Sequence, residues 1–263
     1  MKRIERINDF VVRFANVNGS GSASANNLFA KVVYGLGVPV SPKNVFPSNI
    51  QGLPTWYEVR INDKGYLGRR GGADFIIAVN GQTLRDDYDM VQPGGYFLYD
   101  STKDLPAGFN RDDITVIDIP LTQLCNDEFS DNRMRQLMKN IIYIGSLAYL
   151  LDIGLDPVTD SITKQFAKKP KLAEPNIKAL EIGYHYAEKH HTDSCGLSIL
   201  ASDAVGDQIL IDGNSGAALG ALYAGVTVVG WYPITPSTSV VEAFERFAGR
   251  YRLDPDTGRR RYA

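Results

Sequence analysis

A strand, a glycine-rich turn and a helix follow one another near the start of the chain, and this order most constrains the fold. The strand is the β-rich run Phe10–Ala15, and the turn is Asn16–Ser22. Apolar residues then recur at helical spacing, with Gly35 and Gly37 closing the pattern. The face they form consists of Leu28, Phe29, Val32, Val33 and Leu36. This succession opens a βαβ unit, so we predict an α/β fold.

Four later runs are typical of strands: Trp56–Ile61, Asp74–Val79, Gly95–Tyr99 and Ile114–Ile119. Several are nearly continuous in apolar residues, which is expected of parallel strands covered on both faces. Residues 39–54 indicate mostly loop, and long helices are predicted at 131–151 and 177–190. We therefore predict a parallel-sheet α/β domain over residues 1–200 with a helical linker at its C-terminal end.

Residues 201–263 indicate the beginning of a second α/β domain. We predict strands at Gln208–Ile211 and Val226–Trp231, a Gly- and Ala-rich helix capped by Asn214 or Ser215, and a helix at Ser239–Phe247. Two strands and two helices do not form a sheet that could stand alone. We therefore expect this domain to be incomplete.

The overall charge and the apolar runs exclude several classes of partner. A net charge of −2 and a pI near 5.9 argue against nucleic acid and against a membrane surface. The first residues lack the apolar core of a signal peptide, and the run Ile141–Leu151 is too short to span a bilayer. Two distant cysteines, Cys125 and Cys195, do not indicate a disulfide framework. We expect a soluble cytoplasmic protein.

The glycine turn matches a dinucleotide fingerprint only in part. Gly19 and Gly21 give the Gly-x-Gly pair, but Ser24 stands where a third glycine or alanine is expected. Anion binding at this helix N-terminus, by Gly19, Ser20, Gly21 and Ser22, stays open because the backbone N–H groups are enough for it.

The sequence shows no recognisable complete set of catalytic residues or of metal ligands. His190 and His191 are adjacent, so on a helix they point about 100° apart and do not share an ion. His185 has Lys189 at the i+4 position, and Cys195 has no recognisable base. The pattern favours a binding subunit or a chain that contributes to a shared site.

The segment Tyr232–Thr238 predicts a rigid, hydroxyl-lined corner. Pro233 and Pro236 fix the backbone, and Ser237 or Thr238 can cap the following helix. An ordinary strand-to-helix loop with a good cap is the alternative interpretation from the residues alone.

Two groups of segments resemble the 2-oxoacid:ferredoxin oxidoreductases. Those similar to the start of the pyrimidine-binding domain of the α subunit are Gly213–Gly220, Ala224–Gly225 and Tyr232–Thr238. Those similar to the γ domain, which one branch of the family carries fused ahead of α, are Phe14–Ser22, Pro42–Asn49 and Leu53–Arg60. The resemblance covers nearly the whole chain. It implies an N-terminal γ-like domain followed by the start of a thiamine-diphosphate pyrimidine-binding domain.

The resemblance implies oxidative decarboxylation of a 2-oxoacid, most often 2-oxoglutarate in this branch, or the reverse carboxylation. Thiamine diphosphate, coenzyme A and ferredoxin take part, within a heterotetramer of two α and two β subunits. By the resemblance, Thr235 binds the substrate. The residues expected to hold or flank it are Pro233, Ile234, Pro236 and Ser237.

One expected part of the site is missing from the sequence. The resemblance places the glutamate that activates thiamine, and an arginine that holds the substrate, beyond Ala263. We therefore expect an N-terminal portion of a longer subunit that is inactive alone. By the resemblance, Mg²⁺ and the diphosphate are held by the β subunit. The iron–sulfur clusters are expected there too, because two cysteines do not supply the four thiolates of a cluster. The alternative is a non-catalytic interaction module that binds an anion or coenzyme A.

Overall fold

The structure, a computed structural model, describes residues 3–45, 50–234 and 237–259. The chain divides into two compact units, Met1–Gly206 and Asp207–Ala263. The predicted domain boundary at 200/201 stays a prediction. No helix in the described ranges is both long and apolar enough to cross a membrane.

The first unit alternates strands and helices. Its strands are β1 (Arg6–Ile7), β2 (Asp9–Val17), β3 (Val40–Val45), β4 (Pro54–Asn62), β5 (Ala73–Ala78), β6 (Val91–Asp100), β7 (Thr115–Ile119) and β8 (Leu197–Ser198). Its helices are α1 (Ser22–Gly35), α2 (Leu84–Met90), α3 (Leu121–Glu128), α4 (Asn132–Leu150), α5 (Asp156–Gln165) and α6 (Ala173–His190).

Six of these strands form one mixed sheet in the order β3-β4-β2-β5-β6-β7. The run from β2 through β5 and β6 to β7 is parallel, which confirms the α/β class. Strand β4 is antiparallel to both β2 and β3, so the sheet is mostly but not wholly parallel. Charged Glu58 and Arg60 alternate there with Val59 and Ile61, a pattern that antiparallel strands often show.

Strand β3 lies in a region that was predicted to be mostly loop. Pro42, Lys43 and Asn44 are poor strand formers, and they mask the strand in the sequence. The strand is at the edge of the sheet, where a proline is tolerated because one side of the backbone needs no partner.

Helices cover both faces of the sheet. On β2, Phe14 faces α1 and α4, where it packs against Phe29 and Tyr143 with ring centroids 5.5 and 5.7 Å away. Val11 points to the opposite face, since side chains alternate along a strand, and it packs there with Tyr88 of α2. The glycine turn after β2 is therefore held against the helical layer that α4 belongs to.

Helices α4 and α6 approach each other closely through two glycines. A Cβ on Gly145 would collide with the backbone of Leu180, and one on Gly183 would collide with the backbone of Ile142. The hydroxyl of Ser146 donates to the carbonyl of Gly183 at 3.0 Å across the same contact. The position of α4 is therefore fixed by backbone contact.

The second unit consists of α7 (Gly213–Tyr223) and α8 (Thr238–Tyr251), which pack on each other. The predicted strands at 208–211 and 226–231 are wrong: both segments are irregular and largely exposed, and the described part of the unit contains no strand. A strand needs a neighbouring strand for its backbone hydrogen bonds, and the described part of this unit supplies none. Asp212, not Asn214 or Ser215, caps α7 by accepting from the N–H of Ser215.

Candidate functional site

The turn between β2 and α1 depends on two glycines. Gly19 and Gly21 have φ of 85° and 79°, in the left-handed region that other residues avoid. A Cβ on Gly21 would also collide with the side chain of Leu137 in α4. Among these described residues, no side chain caps α1 and no acidic residue lies in its first turn. The partial positive charge of the helix N-terminus therefore remains available to an anion.

A polar pocket of about 370 Å³ opens at this turn. The residues that line it include four asparagines and two aromatic residues: Asn16, Asn18, Asn26, Asn44, Trp56 and Tyr57. None of the described residues that line it is charged. A neutral polar pocket beside a helix N-terminus suits a ligand that brings its own negative charge.

Asn16 carries an unsatisfied donor at this pocket. Its side chain is 1% exposed, and its Oδ1 accepts from Nδ2 of Asn26 at 2.9 Å. Asn26 in turn accepts from the hydroxyl of Tyr143 at 2.7 Å, and burial raises the pKa of that hydroxyl, which keeps it protonated as a donor. The Nδ2 of Asn16 has no partner within the described structure. A buried unpaired amide donor is costly, and an acceptor on a bound ligand would satisfy it.

A charge network surrounds the buried carboxylate of Glu58 on β4. The carboxylate of Glu58 accepts from Nη1 of Arg13 at 3.4 Å and from Nε of Arg69 at 3.1 Å. Burial lowers the pKa of Arg13, and the carboxylates of Asp87 and Glu58 counteract this effect. The guanidinium of Arg13 lies over the ring of Trp56, 5.2 Å from its centroid.

The structure brings most of the predicted anion-binding residues to one place. Gly19, Gly21 and Ser22 line the pocket. The carbonyl of Ser20 accepts from Nδ2 of Asn140 at 2.9 Å, which anchors the turn to α4, while its buried hydroxyl has no partner among the described atoms. Asn26, Trp56 and the other wall residues were not predicted, because they come from elements that only the tertiary fold assembles.

The predicted substrate corner in the second unit is only partly described. Thr235 and Pro236 lie outside the described residues. Pro233 and Ile234 are exposed, and the hydroxyl of Ser237 donates to the carbonyl of Ile234 at 2.8 Å. Ser237 occupies the N-cap position of α8, but within the described segment its side chain makes no capping bond, contrary to the prediction. The roles of all five residues stay predictions.

Asp100, at the end of β6, is a polar centre that sequence reasoning missed. Burial acts to raise its pKa, but hydrogen bonds from Thr122 and Thr102 outweigh it and lower the pKa overall. The side chain accepts from the Thr122 N–H at 3.1 Å and the Thr102 hydroxyl at 2.8 Å, and Lys139 lies 3.7 Å away. These contacts join β6 to the start of α3, so the carboxylate has a structural role. An aspartate at a strand end, with a threonine two residues later, was the available signal.

The cysteines and histidines do not form a reactive centre. Burial raises the pKa of both Cys125 and Cys195 to about 12, which disfavours the thiolate. His185 contacts Glu188, and Nε2 of His191 lies 2.8 Å from the carbonyl of Asp118. Among the residues that the structure describes, no group of three or more potential ligands could hold a metal ion.

Comparison with known proteins identifies a matching family and several similar proteins. The model of the family "Pyruvate ferredoxin/flavodoxin oxidoreductase" matches residues 11–186. The 2-oxoglutarate oxidoreductase subunit KorA of Mycobacterium tuberculosis is 24% identical over 92% of this chain and 42% of its own length. The chain thus spans less than half the length of this relative.

Two solved structures share the fold. A 2-oxoglutarate:ferredoxin oxidoreductase from Magnetococcus marinus, determined with 2-oxoglutarate, coenzyme A and succinyl-CoA bound, matches 92% of this chain and 42% of its own at a TM-score of 0.80 and 24% identity. The pyruvate oxidoreductase subunit PORC of Thermotoga maritima matches 67% of this chain and 96% of its own at a TM-score of 0.55 and 20% identity. The second match covers a whole subunit, which indicates that a separate protein can adopt this fold.

Proposed function

The chain belongs to the pyruvate ferredoxin/flavodoxin oxidoreductase family, and from this premise we propose that it is part of the α subunit of a 2-oxoacid:ferredoxin oxidoreductase with a fused γ domain. The proposed substrate is 2-oxoglutarate. Its support is that the relative from M. tuberculosis and the structure from M. marinus, both similar across 92% of this chain, are named for that acid.

In this proposal the complete enzyme oxidatively decarboxylates the 2-oxoacid to an acyl-CoA, or carries out the reverse carboxylation, with electrons exchanged with ferredoxin. Thiamine diphosphate, when bound between α and β subunits, supplies the carbon nucleophile. The β subunit holds the diphosphate, Mg²⁺ and the iron–sulfur clusters, and two α and two β subunits form a cytoplasmic heterotetramer. Two cysteines are fewer than the four thiolates that a cluster usually takes, which supports this allocation of the clusters.

The observation that carries the proposal within this chain is the polar pocket at the glycine turn. The N-terminus of α1 and the unpaired Nδ2 of Asn16 are donors without acceptors, in a pocket with no charged wall residue among those described. Phosphate groups supply acceptors and negative charge together. Coenzyme A carries such groups, and we assign this pocket to it, with Gly19, Ser20, Gly21 and Ser22 as the turn that approaches the phosphates.

Thr235 is proposed as the residue of this chain that touches the substrate. Its hydroxyl donates to the carboxylate or keto oxygen of the 2-oxoacid, and Pro233, Ile234, Pro236 and Ser237 hold or flank it. The support is the position of the threonine between two prolines, which limits the backbone on both sides.

The test of this role is turnover in the complete enzyme, assembled with its β subunit and assayed for CoA-dependent reduction of an electron acceptor with 2-oxoglutarate. Thr235→Ala is expected to lower kcat at least about tenfold, since one hydrogen bond to the reacting substrate is lost. Thr235→Ser keeps the hydroxyl and is the matched control, with most of the activity retained. If Thr235→Ala kept the turnover of the wild type, Thr235 would not have the assigned role in holding the substrate. If the electron acceptor is reduced with pyruvate or a branched 2-oxoacid but not with 2-oxoglutarate, the proposed substrate is wrong.

A second candidate function is a non-catalytic module that binds an anion or coenzyme A at the pocket beside Asn16. Calorimetry with coenzyme A and with thiamine diphosphate separates the two. Coenzyme A binding by the chain, together with 2-oxoacid turnover by the assembled enzyme, supports the oxidoreductase. Binding without any turnover in the presence of the β subunit supports the module.

A further inference from the structure

The helices of the first unit enclose an apolar groove that is separate from the sheet. It has a volume of about 460 Å³ and is lined by residues of α1, α4, α5 and the start of α6. Its floor consists of buried side chains, namely Leu28, Met138, Ile141 and Ile162. Its rim consists of apolar side chains that are 37–47% exposed, namely Met134, Leu137 and Leu172. Exposed apolar side chains around a buried apolar floor indicate a surface that another molecule covers.

One end of the groove is formed by a strongly basic segment. Phe166 and Leu172 both line the groove, and the connection between α5 and α6 joins them. Four exposed lysines lie on or beside this connection, namely Lys164, Lys168, Lys169 and Lys171. In the described structure no carboxylate pairs with any of the four, and the sequence has no acidic residue from 161 to 173. Because the whole chain has a net charge of −2, this concentration of positive charge departs from the charge of the protein as a whole.

Acidic groups beside the groove are fewer than the cations. Asp131 lines the groove, and its carboxylate caps α4 by accepting from the N–H of Met134 at 2.7 Å. Glu174 is exposed in the first turn of α6. Arg133 lines the groove as well and adds a further exposed cation. The surface around the groove is therefore net positive, and complementarity of charge favours an acidic partner.

The shape of the groove distinguishes between acidic partners. An anionic bilayer takes up apolar side chains that protrude, whereas Met138 and Ile141 lie at the bottom of a groove between helices. A small ligand is mostly enclosed when it is bound, but this groove keeps an exposed apolar rim. A helix that carries apolar side chains three and four residues apart fits such a groove. Methionines at 134 and 138 allow the lining to adapt to those side chains.

A second copy of the chain does not fit this surface. In a two-fold dimer the same face of both copies meets, so the basic segment of one copy would lie near that of the other. Juxtaposed like charges oppose association.

We propose that this groove is the docking site for an acidic amphipathic helix of a partner protein. Apolar side chains of the partner helix insert over Met138 and Ile141, and its carboxylates pair with the lysines at 164–171. The inference concerns a surface to which the proposed function assigns no role, and its test depends neither on turnover nor on binding of coenzyme A.

The first experiment measures binding of a synthetic probe to the whole chain by fluorescence anisotropy. The probe is a labelled amphipathic peptide with leucines three and four residues apart on one face and glutamates on the other. We expect saturable binding that weakens when the salt concentration rises from about 50 to about 300 mM. A peptide with lysine in place of every glutamate is expected to bind at least about tenfold more weakly. If the glutamate peptide does not bind, or the lysine peptide binds as tightly, the inference fails.

Two pairs of variants then locate the binding on the groove. Lys168→Glu with Lys171→Glu is expected to weaken binding of the glutamate peptide about tenfold or more. Lys103→Glu with Lys189→Glu makes the same change of net charge at exposed positions away from the groove and is expected to leave the affinity unchanged.

The second pair tests the apolar rim. Leu172→Gln is expected to weaken the binding of the peptide about threefold to tenfold, because an apolar contact is lost. Leu200→Gln is the matched control, since both leucines are 47% exposed. Circular dichroism spectra like the parent's show that the variants are folded. Equal affinities in the members of either pair would show that the peptide binds elsewhere, and the inference would fail.

The second experiment identifies the native occupant in the host cell. A photo-crosslinking amino acid replaces Leu172, and the attached peptide is sequenced by mass spectrometry. We expect an acidic segment with apolar residues at helical spacing, and we expect the crosslink to be lost in the Lys168→Glu, Lys171→Glu variant but kept in the Lys103→Glu, Lys189→Glu variant. A neutral or basic segment, a second copy of this chain, or a crosslink that survives the reversal at Lys168 and Lys171 would overturn the proposal. Binding of phosphatidylserine vesicles or of dodecanoate that blocks the peptide would instead assign the groove to a lipid.

Discussion

The glycine turn at 16–22 and the Tyr-Pro segment at 232–238 have the same predicted design, a polar turn that opens a helix, but very different surroundings. Asn16 is 1% exposed, and Leu137, Asn140 and Tyr143 of α4 contact the glycine turn or the amide chain behind it. Tyr232, in contrast, is 80% exposed, and the neighbouring Ile234 is 59% exposed.

The difference shows what makes a turn into a binding site. The glycine turn gains its depth from α4, whose position is fixed by backbone contact with α6 at Gly145 and Gly183. The Tyr-Pro segment has a local hydrogen bond between Ser237 and Ile234, but the described part of its own unit supplies two helices and no sheet. A sequence motif specifies the backbone of the turn, and the neighbouring helices and strands enclose the turn to form a pocket.

The largest effect is expected at the contact between α4 and α6, on which the enclosure of the glycine turn depends. Gly183→Ala places a Cβ against the backbone of Ile142, and overpacking of this kind is expected to lower the free energy of unfolding of the first unit by about 3 kcal/mol or more. The matched control is Gly220→Ala in α7, where a Cβ meets nothing within 4 Å, so the better helix propensity is expected to stabilise the second unit by about 0.5–1 kcal/mol.

Chemical denaturation measures both changes, because Trp56 reports on the first unit and Trp231 on the second when the other tryptophan is replaced by phenylalanine. Equal and small changes for the two alanine variants would mean that α4 is not fixed by close backbone contact. The enclosure of the glycine turn would then need another explanation.

A smaller effect is expected at the turn itself. Gly21→Ala combines a left-handed backbone with a collision against Leu137, so we expect a loss of about 2–3 kcal/mol in stability and weaker binding of coenzyme A. Gly225→Ala is the control, with a φ of 88° but no atom within 4 Å of the new Cβ, and only the backbone cost of about 1–2 kcal/mol is expected. If both variants lose the same stability, the contact with α4 contributes nothing.

Much of the fold could be predicted from the sequence, because local patterns encode it. The apolar run at Phe10–Ala15 and the two glycines after it gave β2, the turn and α1. The predicted helix at 131–151 corresponds to α4. The edge strand β3 was missed, since its stability comes from pairing with β4 and not from its own residues. The strands predicted at 208–211 and 226–231 were wrong, because a strand needs a neighbouring strand and the described part of the second unit contains none.

The candidate site was predictable only as far as it is local. The positive φ of Gly19 and Gly21 follows from a short glycine pattern, and so does the helix N-terminus beside them. Trp56 and Asp87 come from other elements, and the sequence holds no sign that their side chains meet. Pairing of this kind depends on the position and register of β4 beside β2, which the sequence alone does not specify.

The smallest effect on stability is expected when a single tyrosine hydroxyl is removed near each of the two turns. Tyr143→Phe removes the donor to Asn26 and leaves a buried amide oxygen without its partner, so we expect a loss of about 1–2 kcal/mol in stability. Because Asn26 orients Asn16, we also expect weaker binding of coenzyme A at the pocket. Tyr232→Phe makes the same chemical change at an exposed ring and is expected to alter stability by less than about 0.5 kcal/mol. Denaturation and calorimetry on the two variants test this. Unchanged coenzyme A affinity in Tyr143→Phe would show that the hydrogen bonds from Tyr143 through Asn26 do not orient the Nδ2 donor of Asn16.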